Sequence, residues 1–149
     1  MKINLSFVQF IKYGIVGLGN TLLTAVVIWV ILKFVFGITG NVEASPVMMS
    51  VSNVCGYIVG LINSYVFNRS WTFKSTTSWK QSFLKFVMGF AVCYIIQLGV
   101  VLAVHQSGLI SPVRYREYTL TSAYLCQLTG IVSYTILNFL YNKYYAFRK

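Results

Sequence analysis

Four long intervals without a charged side chain constrain this chain more than any other feature. Tyr13 to Leu32 runs 20 residues, Ala44 to Asn68 runs 25, Phe86 to Val104 runs 19 and Tyr118 to Asn142 runs 25. A helix needs roughly 20 apolar residues to cross a bilayer core. Hydrocarbon admits only helices or closed barrels, because backbone groups find no water there. The runs lack the period-2 alternation of barrel strands. They predict an all-α integral membrane protein, a single transmembrane domain over 1–149 with helices at about 10–34, 46–68, 83–105 and 118–142. Composition agrees, with 57% hydrophobic and only 9% charged residues, where a soluble domain carries about a quarter charged.

The first run is longer than a secretory h-region and lacks a small-residue cleavage pattern at its end, so it reads as a retained helix. The longest loops, about 37–45, 70–81 and 105–117, are too short for a soluble catalytic domain. Twelve Lys and Arg face two acids. With the N-terminus in the cytosol, nine of the twelve cations fall on that side: Lys2, Lys12, Arg69, Lys74, Lys80, Lys85, Lys143, Arg148 and Lys149. Lys33, Arg114 and Arg116, with Glu43 and Glu117, fall on the other. Cations in short loops mark the inside face, so both termini are expected to be cytosolic. Each such cation contributes about 1 kcal/mol of attraction to anionic lipid, and the basic balance needs no nucleic acid to explain it.

The chain also carries two copies of one pattern. Asn68, Arg69, Trp71, Phe73 and Lys74 match Asn142, Lys143, Tyr145, Phe147 and Arg148 at an offset of 74, which also pairs Gly56 with Gly130. An offset of 73 pairs Phe10, Ile11, Lys12 and Tyr13 with Phe83, Leu84, Lys85 and Phe86. Each half, about 7–75 and 80–149, is therefore expected to be a helical hairpin, the two in direct repeat about an axis along the membrane normal. Trp71, Trp79, Tyr144 and Tyr145 fit an interfacial aromatic belt. An amide beside a cation at a helix end offers charge-assisted donors to a phosphate, a use that weighs evenly with anchoring for Arg69.

Polar residues inside the spans form a second set: Asn20, Thr24, Asn53, Asn63, Gln97, Gln127 and Asn138. Buried amides in lipid seek partners, so they read as interhelical bonds or as a polar path. Ser52, Gly56, Gly60 and Ser64, and likewise Gly17, Thr21 and Ala25, recur every four residues and read as close-packing surfaces, within the subunit or between subunits. Cys55, Cys93 and Cys126 lie in apolar runs and read as packing residues. His105 reads as an interfacial side chain. No nucleophile with a base, no P-loop and no metal-ligand cluster is visible in the sequence, so no cofactor is expected and the chain does not read as an enzyme.

FVQFIKYGIVGLGNT, NSYVFNRSWTFKS, SWKQSFLKFVMGF and NFLYNKYYAFRK together resemble the GtrA-like family over about 7–148. The most specific element is Asn-Arg-x-Trp-x-Phe at Asn68, Arg69, Trp71 and Phe73. Asn138, Phe139 and Asn142 match the second signature, with Lys143 where Arg is usual, Tyr145 where Trp is common, and Ser64 where the first copy often has Asn. The resemblance implies a four-helix protein of the bacterial inner membrane that helps move polyprenyl-phosphate-linked monosaccharides, such as undecaprenyl-phosphate glucose, to the outer leaflet. Glycosyltransferases there would use the sugar on O-antigen, teichoic acid or arabinogalactan. On that reading Arg69, Lys12, Lys85, Lys143, Asn68 and Asn142 hold the phosphate, while Asn20, Asn63, Gln97, Asn138 and Trp71 line the sugar's path. A non-catalytic scaffold for a glycosyltransferase is the alternative. An exporter of small cations ranks third, since the spans hold no acid. Homo-oligomerisation, the donor sugar and the energy source stay open.

Overall fold

A computed structural model describes residues 5–38, 43–115, 118–120 and 122–148. It contains four helices long and apolar enough to cross a membrane. The chain divides into two compact units, Met1–Ser75 and Thr76–Lys149, and each is a pair of packed helices.

In the first unit, α1 (Leu5–Val30) widens into a π-helical turn at Ile31–Val35 and stops at Gly37, whose φ of 66° suits a residue without a Cβ. α2 (Pro46–Phe67) starts where it should. Ser45 accepts from the Met48 N–H at 3.3 Å, and Pro46 fills the first helical position, where no donor is needed. It too ends in a π-helical turn, Asn68–Thr72. Phe73 N–H donates to the Asn68 carbonyl and Ser75 N–H to the Arg69 carbonyl, both at 2.9 Å. Lys74 takes the left-handed conformation, φ 48°, and closes the turn.

The second unit repeats this plan. α3 (Trp79–Gln106) is followed by a short antiparallel hairpin of β1 (Val113–Tyr115) and β2 (Tyr118–Leu120), with Arg114 opposite Thr119. α4 (Ser122–Tyr141) then ends in a π-helical turn at Asn142–Ala146. Several boundaries differ from expectation, and α1 already begins at Leu5 instead of 10. The segment 70–72 stays helical, and α3 begins at Trp79 instead of 83, because backbone bonds run on from Ser78 O to Ser82 N at 2.9 Å. α4 starts at Ser122 instead of 118, because the aromatic and β-branched residues before it favour strand pairing. Of the charges used to orient the chain, Lys2, Arg116, Glu117 and Lys149 lie outside the described residues.

The outer faces are apolar and open: Leu18, Leu22 and Ile95 are all about two-thirds exposed or more. Water would penalise such faces, whereas lipid is their natural solvent. Contact within each unit rests on small residues. A Cβ on Gly56 would sit 2.9 Å from Ile28 and 3.2 Å from Thr24, and one on Gly130 would meet Val101 and come within 3.2 Å of Gln97. Ser52, Gly56 and Gly60 are buried, so at Gly56 and Gly60 the α2 stripe serves contact with α1. Gly17, Thr21 and Ala25 are exposed and face away from that contact.

Candidate functional site

Asn68 and Asn142 each open a π-helical turn, and both are almost wholly buried, at 1% and 0% exposure. Asn68 Nδ2 donates to Ser64 Oγ at 3.1 Å, and Asn142 Nδ2 donates to Asn138 Oδ1 at 3.0 Å. Asn138 in turn donates to the Tyr134 hydroxyl at 3.0 Å. The amides thus point back along their own helices, four residues at a time. The Oδ1 atoms of both Asn68 and Asn142 are buried without a hydrogen-bond partner. Arg69 is buried as well, at 8% exposure.

The lysines behave differently. Lys12 Nζ stands 5.0 Å over the ring of Trp71, and Lys85 Nζ stands 5.0 Å over Tyr145. Lys143 Nζ lies 5.1 Å from the Tyr144 ring and 5.8 Å from Phe139. A cation over an aromatic face is attracted by the ring quadrupole, by about 0.5–1 kcal/mol at exposed sites. Tyr13 also packs against Phe73 and Phe86 against Phe147, at 6.3 and 5.8 Å between centroids. Lys12, Asn68 and Arg69 belong to the first unit; Lys85, Asn142 and Lys143 belong to the second.

A groove of about 540 Å³ runs between α1 and α2, lined by Ile15, Val16, Gly19 and Leu23 on one side and Asn63, Phe67, Ser70 and Trp71 on the other. Trp71, carrying Lys12 on its face, forms one end. Deeper along α2, Asn63 Nδ2 donates to Asn20 Oδ1 at 3.5 Å, a long bond that leaves both amides with spare capacity. A second depression of about 400 Å³ shares Leu23, Asn63 and Phe67 and continues over Val59, Ile62 and Val66.

The structure therefore brings together Asn20, Asn63, Trp71 and Lys12 from the predicted set. It buries Asn68 and Arg69 beside the groove. Gln97 and Asn138 belong to the other unit, where Gln97 packs at Gly130 and Asn138 joins the ladder to Tyr134. Asn53 and Gln127 are exposed. Sequence reasoning missed Gly19, Leu23, Phe67 and Ser70. Their signal was spacing: Asn63, Phe67, Ser70 and Trp71 lie at i, i+4, i+7 and i+8 on one helix face. Among the described residues no group of three His, Cys, Asp or Glu gathers where a metal could bind.

Known proteins place these features in a family. A stretch of the membrane protein YngA of Bacillus subtilis (strain 168), itself described as uncharacterized, is 36% identical over 62 residues, covering 42% of this chain and 34% of that protein. This chain thus matches about a third of that relative's length. No solved structure matches. The GtrA/DPMS transmembrane domain matches residues 12–147, from the lysine on Trp71 to the phenylalanine that closes the last turn. With four spanning helices and a match over nearly its whole length, the chain belongs to the GtrA/DPMS transmembrane domain family, as a multi-pass protein of the bacterial inner membrane.

Proposed function

We propose that the protein moves a polyprenyl-phosphate-linked monosaccharide, such as undecaprenyl-phosphate glucose, from the cytosolic to the outer leaflet. The observation that carries this reading is the groove between α1 and α2, which joins Trp71, with the Lys12 cation over its ring, at one end to the Asn63 amide, bonded in turn to Asn20, at the other. Such a substrate asks for three things: positive charge for the phosphodiester, hydrogen-bonding groups for the hydroxyls, and an opening to lipid for the tail. Lys12 and Trp71 supply the first at the groove's mouth, with Arg69 adding positive potential from its buried place. Asn68 stands beside Arg69 at the turn of the first unit. Within the second unit Lys85 and Lys143, with Asn142 at its turn, offer positive charge of their own; with the expected orientation both turns lie toward the cytosol. Asn20 and Asn63 offer donors and acceptors within the span of the first unit, whereas Gln97 and Asn138 of the second are engaged inside their own unit, at Gly130 and Tyr134. The exposed apolar faces leave the tail in the bilayer. Movement is facilitated, driven by consumption of the sugar on the far side by membrane glycosyltransferases.

The test uses purified protein in liposomes with radiolabelled polyprenyl-phosphate glucose. Leaflet exchange is compared for the native chain, Lys12→Gln, Arg69→Ala and empty vesicles. Exchange above the empty-vesicle rate, reduced at least tenfold by both substitutions, supports the proposal. A folded native protein that leaves exchange at the empty-vesicle rate defeats it and favours a scaffold for a glycosyltransferase.

A further inference from the structure

The two hairpins follow one plan, yet the groove's chemistry is written in only one of them. Position by position, Asn20 and Asn63 of the first hairpin correspond to Cys93 and Leu137 of the second, and Gly19 corresponds to Val92. Gly60 corresponds to Tyr134. The glycine is needed where it stands: a Cβ there would fall 2.6 Å from Thr24 Oγ1 and 3.3 Å from both amide atoms of Asn20. Absence of a side chain at 60 is what lets Asn20 and Thr24 reach the crossing of α1 and α2. In the second hairpin the space is taken by rings. Tyr134 stands edge-on to Phe90 at 6.0 Å and accepts from Asn138. Tyr141 lies over Gly89 so closely that a Cβ there would run into its ring, and Tyr141 stacks on Tyr145 at 5.1 Å.

We infer that the lipid-linked saccharide is held by the first hairpin alone, one molecule per chain, with the Asn20–Asn63 pair as its hydroxyl-reading element, and that the second hairpin is a sealed structural copy. This rests on the substrate class proposed above but concerns binding, not movement. An aromatic ring at a groove mouth with amides further in suits a sugar, whose C–H face stacks on the ring while its hydroxyls pair with carboxamides. The second hairpin keeps the lysine over its aromatic but offers an apolar pair, Cys93 and Leu137, where the amides would be. It retains the cation over a ring and lacks the amide pair, and its remaining carboxamide, Gln97, is packed at Gly130.

Matched substitutions separate the two hairpins. Gly19 lines the groove, yet a Cβ there meets nothing within 4 Å, so Gly19→Phe fills the groove while the helix packing stands. Val92→Phe adds a ring at the corresponding place in the second hairpin, on an exposed position. Binding of a short-chain polyprenyl-phosphate glucose to the full chain in detergent is measured by calorimetry, beside the same lipid phosphate without its sugar. The native chain is expected to bind one sugar lipid. Gly19→Phe and Asn63→Leu should each weaken it at least tenfold with little effect on the sugar-free phosphate, and Val92→Phe should leave it within twofold. Two equivalent sites per chain, or equal loss from both phenylalanine variants, overturns the inference. So does a preference for glucose lipid over bare lipid phosphate that survives Asn63→Leu. Specific binding together with absent leaflet exchange leaves this inference standing and defeats only the proposal of movement.

Discussion

Where α2 carries Gly60, α4 carries Tyr134, and where α1 carries Val16, α3 carries Gly89. Both hairpins keep a close-contact glycine at one matched place, Gly56 and Gly130, but each adds another on the opposite helix, Gly60 on α2 and Gly89 on α3. In the first, the added glycine admits polar atoms of Asn20 and Thr24; in the second, it admits the ring of Tyr141. The turns that follow are nearly interchangeable. Asn68 and Asn142 are buried, Thr72 and Ala146 are buried, and Phe73 and Phe147 are buried, each pair 74 residues apart. The lesson is that the helix ends hold the common plan, and the middles of the helices have been free to diverge.

The largest expected effect comes from forcing the second hairpin toward the first. Gly89→Val places methyls where the Tyr141 ring lies, with Cζ 3.0 Å from the new Cβ. Overpacking of this kind costs about 1–3 kcal/mol. Unfolding in mixed micelles should show that loss, and Gly89→Val with Tyr141→Ala should recover part of it, since contacting residues couple. Additive losses would mean the two residues do not meet. Next in size is Asn142→Ala, which removes the donor to Asn138 Oδ1 in a buried bond and should cost about 1 kcal/mol. Asn68→Ala should cost less, because its partner Ser64 is only half-buried and its hydroxyl can turn to a backbone carbonyl of its own helix. Equal losses would show that the ladders in the two hairpins carry the same load.

How far the sequence reached can be judged at the same positions. The four spans were legible because lipid enforces length and apolarity on every residue of a helix. The fourth began too early, since Tyr118 to Leu120 is as apolar as a helix start but pairs with Val113 to Tyr115. Offsets of 73 and 74 put Lys12 and Lys85, and Trp71 and Tyr145, at equivalent places of the two halves, but that each lysine stands over the ring of its own half came from the structure alone. The groove was not legible either. Its lining from α1 is three aliphatic residues and a glycine, which no composition marks as special, and it exists because Asn63 and Phe67 face them across the helix crossing. Nor did the sequence tell which amides share a hairpin partner: Asn20 meets Asn63, while Gln97 packs at Gly130 and Asn53 faces outward.

Asn63→Leu installs the second hairpin's residue in the first and separates stability from function. The Asn20–Asn63 bond is long, at 3.5 Å, and amide bonds between membrane helices average about 0.6 kcal/mol. Unfolding should therefore shift by no more than about 0.5 kcal/mol, while leaflet exchange of the sugar lipid falls at least tenfold. A destabilisation well beyond that range would make the pair packing glue and not a reading element.

The smallest effect is expected at Gly17, and it probes the outer face of the first hairpin. Gly17 stands mid-helix, its carbonyl accepts from Thr21 Oγ1 at 3.1 Å, and a Cβ there meets nothing within 4 Å. Its counterpart in the second hairpin is Phe90, which is packed on Tyr134. Alanine restricts the unfolded chain and suits a helix better than glycine by about 0.5–1 kcal/mol. Gly17→Ala should stabilise the monomer in detergent by up to that amount, with no change in the distribution of oligomers on gel filtration. The opposite sign, with a shift from larger species to monomer, would mean that a second copy of the chain covers this face, since a methyl there has no neighbour within its own hairpin to meet. The empty surface at Gly17 would then be the place where the first hairpin finds the ring-sized partner that Tyr134 gives Phe90 in the second.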